Sequence, residues 1–121
     1  MVDLPTLRRL VLALPDVRDD SADESLAFAV GGKGFAWTYK VRPAPRARRH
    51  PRLDVLAVRC EIERKEMLIA AASDRFFDDD HYRGYPAVLV RLEAIDEAEL
   101  GLLLEEAWRL TAPRRRSDRS R

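Results

Sequence analysis

One cysteine stands among 121 residues, so no internal disulfide can form. A lone thiol suits a reducing compartment. Long apolar runs are also missing. The stretch Leu10-Val11-Leu12-Ala13-Leu14, behind Arg8-Arg9, stops at Pro15-Asp16. It is too short for the h-region of a secretory signal, roughly 7–15 apolar residues, or for a membrane span of ~18. Asp3 also stands where a signal would carry positive charge. These absences predict a soluble, cytoplasmic protein with no membrane role. Strong net charge is lacking too: 22 basic and 21 acidic residues leave +1, so no global field steers a partner. There is no Gly-x-Ser-x-Gly elbow and no phosphate-loop spacing.

What remains is enough for one domain with its own core: 46% of the residues are hydrophobic and 36% charged. Leu4, Leu7, Leu10, Val11 and Leu14 recur at helical spacing behind Asp3 and Pro5, which predicts a first helix over 3–14. Leu26, Phe28 and Val30 alternate with Ala27 and Ala29; after Gly31-Gly32, Phe35, Trp37, Tyr39 and Val41 alternate again. This pattern predicts a β-hairpin. A third strand is expected over 53–60, with Leu56, Val58 and Cys60 on one face, and a helix over 63–72. Residues 73–86 read as irregular, anchored by Phe76 and Phe77. A fourth strand runs over 87–92, with Val88, Val90 and Leu92 on one face. Asp96 with Glu99 resembles a capping box for a last helix, whose stripe is Leu100, Leu103, Leu104, Ala107 and Leu110 before Pro113. The expected fold is α+β, order α-β-β-β-α-β-α, an antiparallel sheet with helices packed on one face. Residues 1–113 form the domain, and 114–121 a basic disordered tail.

Charge is unevenly distributed. Residues 16–24 hold Asp16, Asp19, Asp20, Asp23 and Glu24 against Arg18 alone. Residues 42–52 hold Arg42, Arg46, Arg48, Arg49 and Arg52 with His50 and no acid, interrupted by Pro43, Pro45 and Pro51. Proline density makes this an exposed connection. Placing the aromatic stripe Phe35, Trp37 and Tyr39 on the core side leaves Thr38 and Lys40 on a solvent face. With Lys33 before them and Arg42 beyond, that face is cationic and leads into the arginine connection.

No residue stands out as catalytic, as a metal ligand or as a cofactor anchor. Gly31-Gly32-Lys33-Gly34 is followed by a strand, so it lacks the helix N-terminus that gives a phosphate loop its affinity and reads as a hairpin turn. Asp78-Asp79-Asp80-His81 are adjacent on a loop and do not alternate as calcium ligands do. Cys60 lies on the inward face of a strand and reads as a structural thiol.

Several segments, in order, resemble the MmcQ/YjbR family: Leu14-Pro15-Asp16-Val17, Gly32-Lys33-Gly34-Phe35-Ala36, the block from His81-Tyr82 through Pro86-Ala87-Val88 to Leu92, and Glu106-Ala107-Trp108 through Pro113. The resemblance covers about residues 4–113. It implies a CyaY-like, double-wing α/β fold of small bacterial proteins and a DNA-binding role, with no catalytic residues to carry over.

The chain is therefore expected to be a binding module. In the leading reading Lys33, Lys40, Arg42, Arg46, Arg48, Arg49 and Arg52 contact DNA phosphates in a weak, salt-dependent way. In the alternative a protein partner or small ligand meets the exposed sheet face and the loop of His81, Tyr82 and Tyr85. A third reading is an enzyme built on His81 with Asp78, Asp79 and Asp80.

Overall fold

The computed structural model describes residues 1–22, 25–41 and 50–113; residues 40, 41 and 50–53 are placed by backbone alone. The α1 helix spans Leu4–Leu12, capped by Asp3, whose carboxylate accepts from the Thr6 amide at 2.9 Å. Asp16, in the left-handed region at φ 60, turns the chain into β1, Val17–Asp19. Then follow β2 (Ala27–Val30), β3 (Lys33–Val41) and β4 (His50–Arg59). The α2 helix (Ile62–Ala71), β5 (Phe76–Phe77), β6 (Ala87–Arg91) and α3 (Glu97–Thr111) complete the described chain. Gly31 and Gly32, at φ 61 and 80, make the two-residue hairpin turn expected between β2 and β3. Asp96 caps α3 by accepting from the Glu99 amide at 2.7 Å. The capping box is one-sided, because the Glu99 carboxylate is bonded by Arg75 at 2.7 Å.

The strands form one antiparallel sheet, ordered β1-β2-β3-β4-β6-β5. The fold is α+β as expected, with two short strands added to the expected order. Val17-Arg18-Asp19 is largely exposed and has no apolar alternation, and Phe76-Phe77 is shorter than any period. Only pairing with neighbours makes these segments strands. None of the described helices is long and apolar enough to cross a membrane.

The larger core joins one sheet face to the helices. Leu26, Phe28, Val30, Leu56, Val58, Cys60, Val88, Val90 and Leu92 meet Leu7 and Val11 of α1 and Leu100, Leu103, Leu104 and Ala107 of α3. Each such side chain contributes on the order of 1.5–3 kcal/mol by leaving water. Leu110, expected on the α3 stripe, is 46% exposed: it falls beyond the edge of the sheet-facing stripe.

A bulge corrects the expected aromatic stripe. Phe28 pairs with Ala36 and Ala29 with Gly34, so Phe35 is one residue extra on β3. Phe35 and Ala36 both join the helix-side core, and the alternation flips after them. Trp37 and Tyr39 therefore belong to a second cluster on the other face, with Phe77, Val55, Ala57, Tyr82, Ala87 and Leu89. Thr38, expected to face solvent, is 4% exposed, and its hydroxyl accepts from the Leu26 amide at 2.7 Å. A uniform period of two cannot foresee such a flip.

Candidate functional site

The second cluster carries the site. None of its members lies on a helix; they come from β3, β4, β5, β6 and residues 78–86. That last segment is held in several ways. The Asp79 carboxylate accepts from the Tyr82 amide at 2.8 Å and from the Tyr39 hydroxyl. The Tyr85 amide closes a turn onto the Tyr82 carbonyl at 2.9 Å. Gly84 occupies the third position of that turn at φ 76, where a type II turn needs a residue free to adopt positive φ. Ammonium donation then fixes the turn from below. Lys65 of α2, 2% exposed, donates to the carbonyls of Tyr82 and Tyr85 at 2.8 and 2.7 Å and pairs with Asp78 at 3.1 Å.

Upon this base stands a set of rings at steep angles. Tyr82 and Tyr85 meet at 86° with centroids 5.7 Å apart, and Trp37 and Tyr85 at 77° and 6.4 Å. His81 lies against Tyr82 at 5.3 Å. The Trp37 indole N–H donates to the Tyr82 hydroxyl at 2.9 Å, locking the two large rings together. Trp37, His81, Tyr82 and Tyr85 line a cleft of about 370 Å³. Edge-to-face contacts of this kind stabilise the arrangement beyond area burial. His81 and Tyr85 are exposed at its mouth, while Tyr82 is buried.

Two arginines border the same face. Arg59 lies over the Trp37 ring at 5.6 Å, with its Nε held by the Gly34 carbonyl at 2.8 Å. Arg91 lies over Phe77 at 4.1 Å, and its Nη1 is buried without a hydrogen-bond partner.

A second depression, about 460 Å³, lies between the start of α2 and the end of α3, with Cys60 and Leu103 among its lining residues. Its charges are matched in part: Arg64 pairs with Glu106 at 3.2 Å and Arg109 with Glu105 at 2.6 Å, while Arg59 and Glu61, which also line it, have no ion pair among the described residues. Burial pushes the Cys60 thiol up to about 11, which keeps it protonated and unreactive at neutral pH.

Of the residues singled out in the sequence, the structure brings His81, Tyr82 and Tyr85 together in one cleft. Lys33 stands exposed where β3 begins. Lys40 and Arg52 are placed on β3 and β4 with side chains outside the described residues. Arg42, Arg46, Arg48 and Arg49 lie outside the described residues altogether, as does the 114–121 tail. Asp78, Asp79 and Asp80 do not converge, because Lys65, Tyr39 with the Tyr82 amide, and Arg83 take them separately. Among the described residues no three His, Cys, Asp or Glu side chains gather as a metal site.

Lys65 and Arg59 were missed. Lys65 had a legible signal: Leu68 and Ile69 of α2 and Ala72 at its C-cap, three, four and seven residues on, face inward, so this lysine sits on the apolar stripe. Arg59 follows Val55 and Ala57 on the face away from the helices, but only the bulge reveals that Trp37 shares it.

The chain matches the YjbR family model over residues 12–110. The chain belongs to the YjbR family. The chain is similar to an uncharacterised protein of Mycobacterium bovis and one of Mycobacterium tuberculosis. Each is 34% identical over 113 residues, which cover 88% of this chain and 85% of the relative. Two crystal structures share the fold. One, from Deinococcus radiodurans with the family domain DUF419, has a TM-score of 0.64 and 23% identity over 91% of this chain and 78% of that one. The other, from Pseudomonas syringae, has a TM-score of 0.64 and 14% identity over 91% of this chain and 99% of that one. Two YjbR segments quoted from the sequence meet in space: the Trp108 indole N–H donates to the Pro15 carbonyl at 2.8 Å, tying α3 to the end of α1.

Proposed function

We propose that this YjbR protein is a binding module that takes a flat ligand or side chain in the cleft of Trp37, His81, Tyr82 and Tyr85. The observation that carries the reading is the cleft itself, a pre-formed aromatic concavity on the sheet face away from the helix-packed core. Its volume lies in the range that binding clefts occupy, and rigid rings lose little conformational freedom on contact. Binding is favoured over catalysis because His81 makes no hydrogen bond among the described residues, so it lacks the orienting partner of a general base. Ligand-observed NMR with small aromatic probes such as adenosine and indole tests this. The signal should be strong with the native chain and lost in Tyr85→Ala, a substitution at an exposed position. Equal signal from both proteins rejects the cleft.

A second reading has one observation in its favour: Lys33, at the hairpin tip, is exposed with no ion-pair partner among the described residues. Here Lys33, with Lys40, Arg42, Arg46, Arg48, Arg49 and Arg52, tracks a DNA backbone. With about five phosphates engaged, log affinity falls with log salt at a slope of roughly −4 to −5. Anisotropy of a labelled duplex across salt concentrations measures that slope, and no binding at low salt removes this reading.

A further inference from the structure

Ion pairing separates the arginines whose side chains are described into two groups. Arg8, Arg9, Arg18, Arg64, Arg75, Arg83 and Arg109 each pair with an acid. Arg59 and Arg91 have no acid partner among the described residues, and both lie on the aromatic face. They stand at opposite ends of the β4–β6 ladder, since Arg59 pairs with Ala87 and Arg91 with Val55. Four residues of strand separate these positions, about 13 Å at ~3.3 Å per residue. Arg91 is half-buried and bears a donor with no acceptor. It leaves the face electropositive but gives a ligand little to reach. Arg59 differs. Only its Nε is engaged, by Gly34, so the plane of the guanidinium is fixed while its outer nitrogens remain unpaired. It stands 5.6 Å from the centre of the ring that forms one wall of the cleft.

We infer that the cleft is a nucleotide site, in which the base lies against Trp37 and Tyr85 and the phosphate is taken by Arg59. This rests on the cleft reading above and adds the charge of the ligand. The aromatic walls suit any planar base, because stacking tolerates every π-face. A guanidinium held by one nitrogen presents its remaining fork to an oxyanion, which is the geometry arginine supplies better than lysine. The carboxylates of the cleft's loop do not cancel it: Asp78 is paired with Lys65, Asp79 is bonded by Tyr39 and the Tyr82 amide, and Asp80 is paired with Arg83. Of the acids that line the neighbouring depression with Arg59, Glu106 is paired with Arg64, and Glu61 is exposed and makes no ion pair with Arg59. The site's chemistry is that of one nucleotide unit, free or at a single-stranded stretch of nucleic acid.

The chain has only two tryptophans, Trp37 in the cleft and Trp108 on α3, so their indole N–H signals form a paired reporter. The full chain, labelled with ¹⁵N, is titrated with adenosine 5′-monophosphate and separately with adenosine. The Trp37 signal should move and the Trp108 signal stay. The monophosphate should bind at least about tenfold tighter at low salt, a margin in keeping with one charge-assisted contact. Arg59→Gln should erase that preference while adenosine still binds. Arg59→Lys should keep part of it, and Arg64→Gln should leave it whole. Circular dichroism melts confirm that each variant is folded. Equal affinity for the two ligands, or a preference that survives Arg59→Gln, overturns the phosphate assignment and leaves the cleft reading standing. A Trp37 signal unmoved by either ligand sinks both. Oligo(dA) of five nucleotides, run in parallel, identifies the source. Tighter binding than the monophosphate points to single strands, and weaker or equal binding to the free nucleotide.

Discussion

On the helix side of the sheet the fully buried large rings are Phe28, Phe35 and Phe76, all within 1% of complete burial and none with a polar atom. On the far side they are Trp37, Tyr39, Tyr82 and Tyr85, and three of these four spend their polar atoms on bonds within the cluster or its loop. A phenylalanine core holds by exclusion of water and close packing, with no polar partner to satisfy. A Trp–Tyr cluster needs each hydroxyl and indole N–H to reach a partner, which fixes ring angles as well as contacts. The contrast teaches that stability and shape are provided by different faces of one sheet. The helix face keeps the chain folded, and the far face keeps a cleft in register.

Substitutions can pull the two faces apart. Phe28→Ala should have the largest effect, a loss of about 3–5 kcal/mol by denaturant titration, since it removes a fully buried ring from the helix face and leaves a cavity. Its midpoint should fall whether or not ligand is bound. Lys65→Met comes next. It removes the ammonium from two carbonyls and from Asp78, which is partly wetted, so about 3 kcal/mol is expected, toward the low end for a broken buried pair. Unlike Phe28→Ala, it should also broaden the Tyr82 and Tyr85 NMR signals, because the turn they sit on loses its support. If those signals stay sharp, the lysine is not what holds the cleft.

Gly84→Ala should cost about 1 kcal/mol from positive φ alone, as a Cβ there meets nothing within 4 Å. Gly31→Ala should cost more than Gly84→Ala in the same melt, because its Cβ would come within 2.5 Å of Pro113. Acid produces the smallest effect. The Ser21 hydrogen bonds, with Arg8 nearby, hold the Asp19 carboxyl below its ordinary value, and the Thr6 bonds do the same for Asp3. A carboxylate lowered in the folded state stabilises above its unfolded value, near 4, and that contribution fades as pH falls through the folded one. Thermal midpoints should therefore drop slightly between pH 5 and pH 2.5, and the slope should flatten in Asp19→Asn.

Much of the helix face was legible in the sequence. Leu7 and Val11, the Leu26-Phe28-Val30 alternation, Leu56 with Val58 and Cys60, and the stripe from Leu100 to Ala107 all obey a fixed period and land where that period sends them. The far face was legible only in its loop, where His81, Tyr82 and Tyr85 stand close in the chain and close in space. Trp37 was assigned to the wrong side because one inserted residue, Phe35, reverses all that follow it. Lys65 fell within an expected helix but was not singled out, although its spacing from Leu68, Ile69 and Ala72 places it inward. Short pairings such as β1 and β5 carry no periodic signal at all, since their existence depends on a neighbour distant in sequence.

The outermost ribbons of the sheet are three residues long at one margin and two at the other. Arg18 and Asp19 lie within the first, and Arg75 and Asp78 flank the second. Such stubs give a sister molecule almost no free amides or carbonyls to zip onto, and the flanking charges discourage the attempt. Strand addition at these two margins should therefore be weak, and a partner that reaches either one meets side chains before backbone.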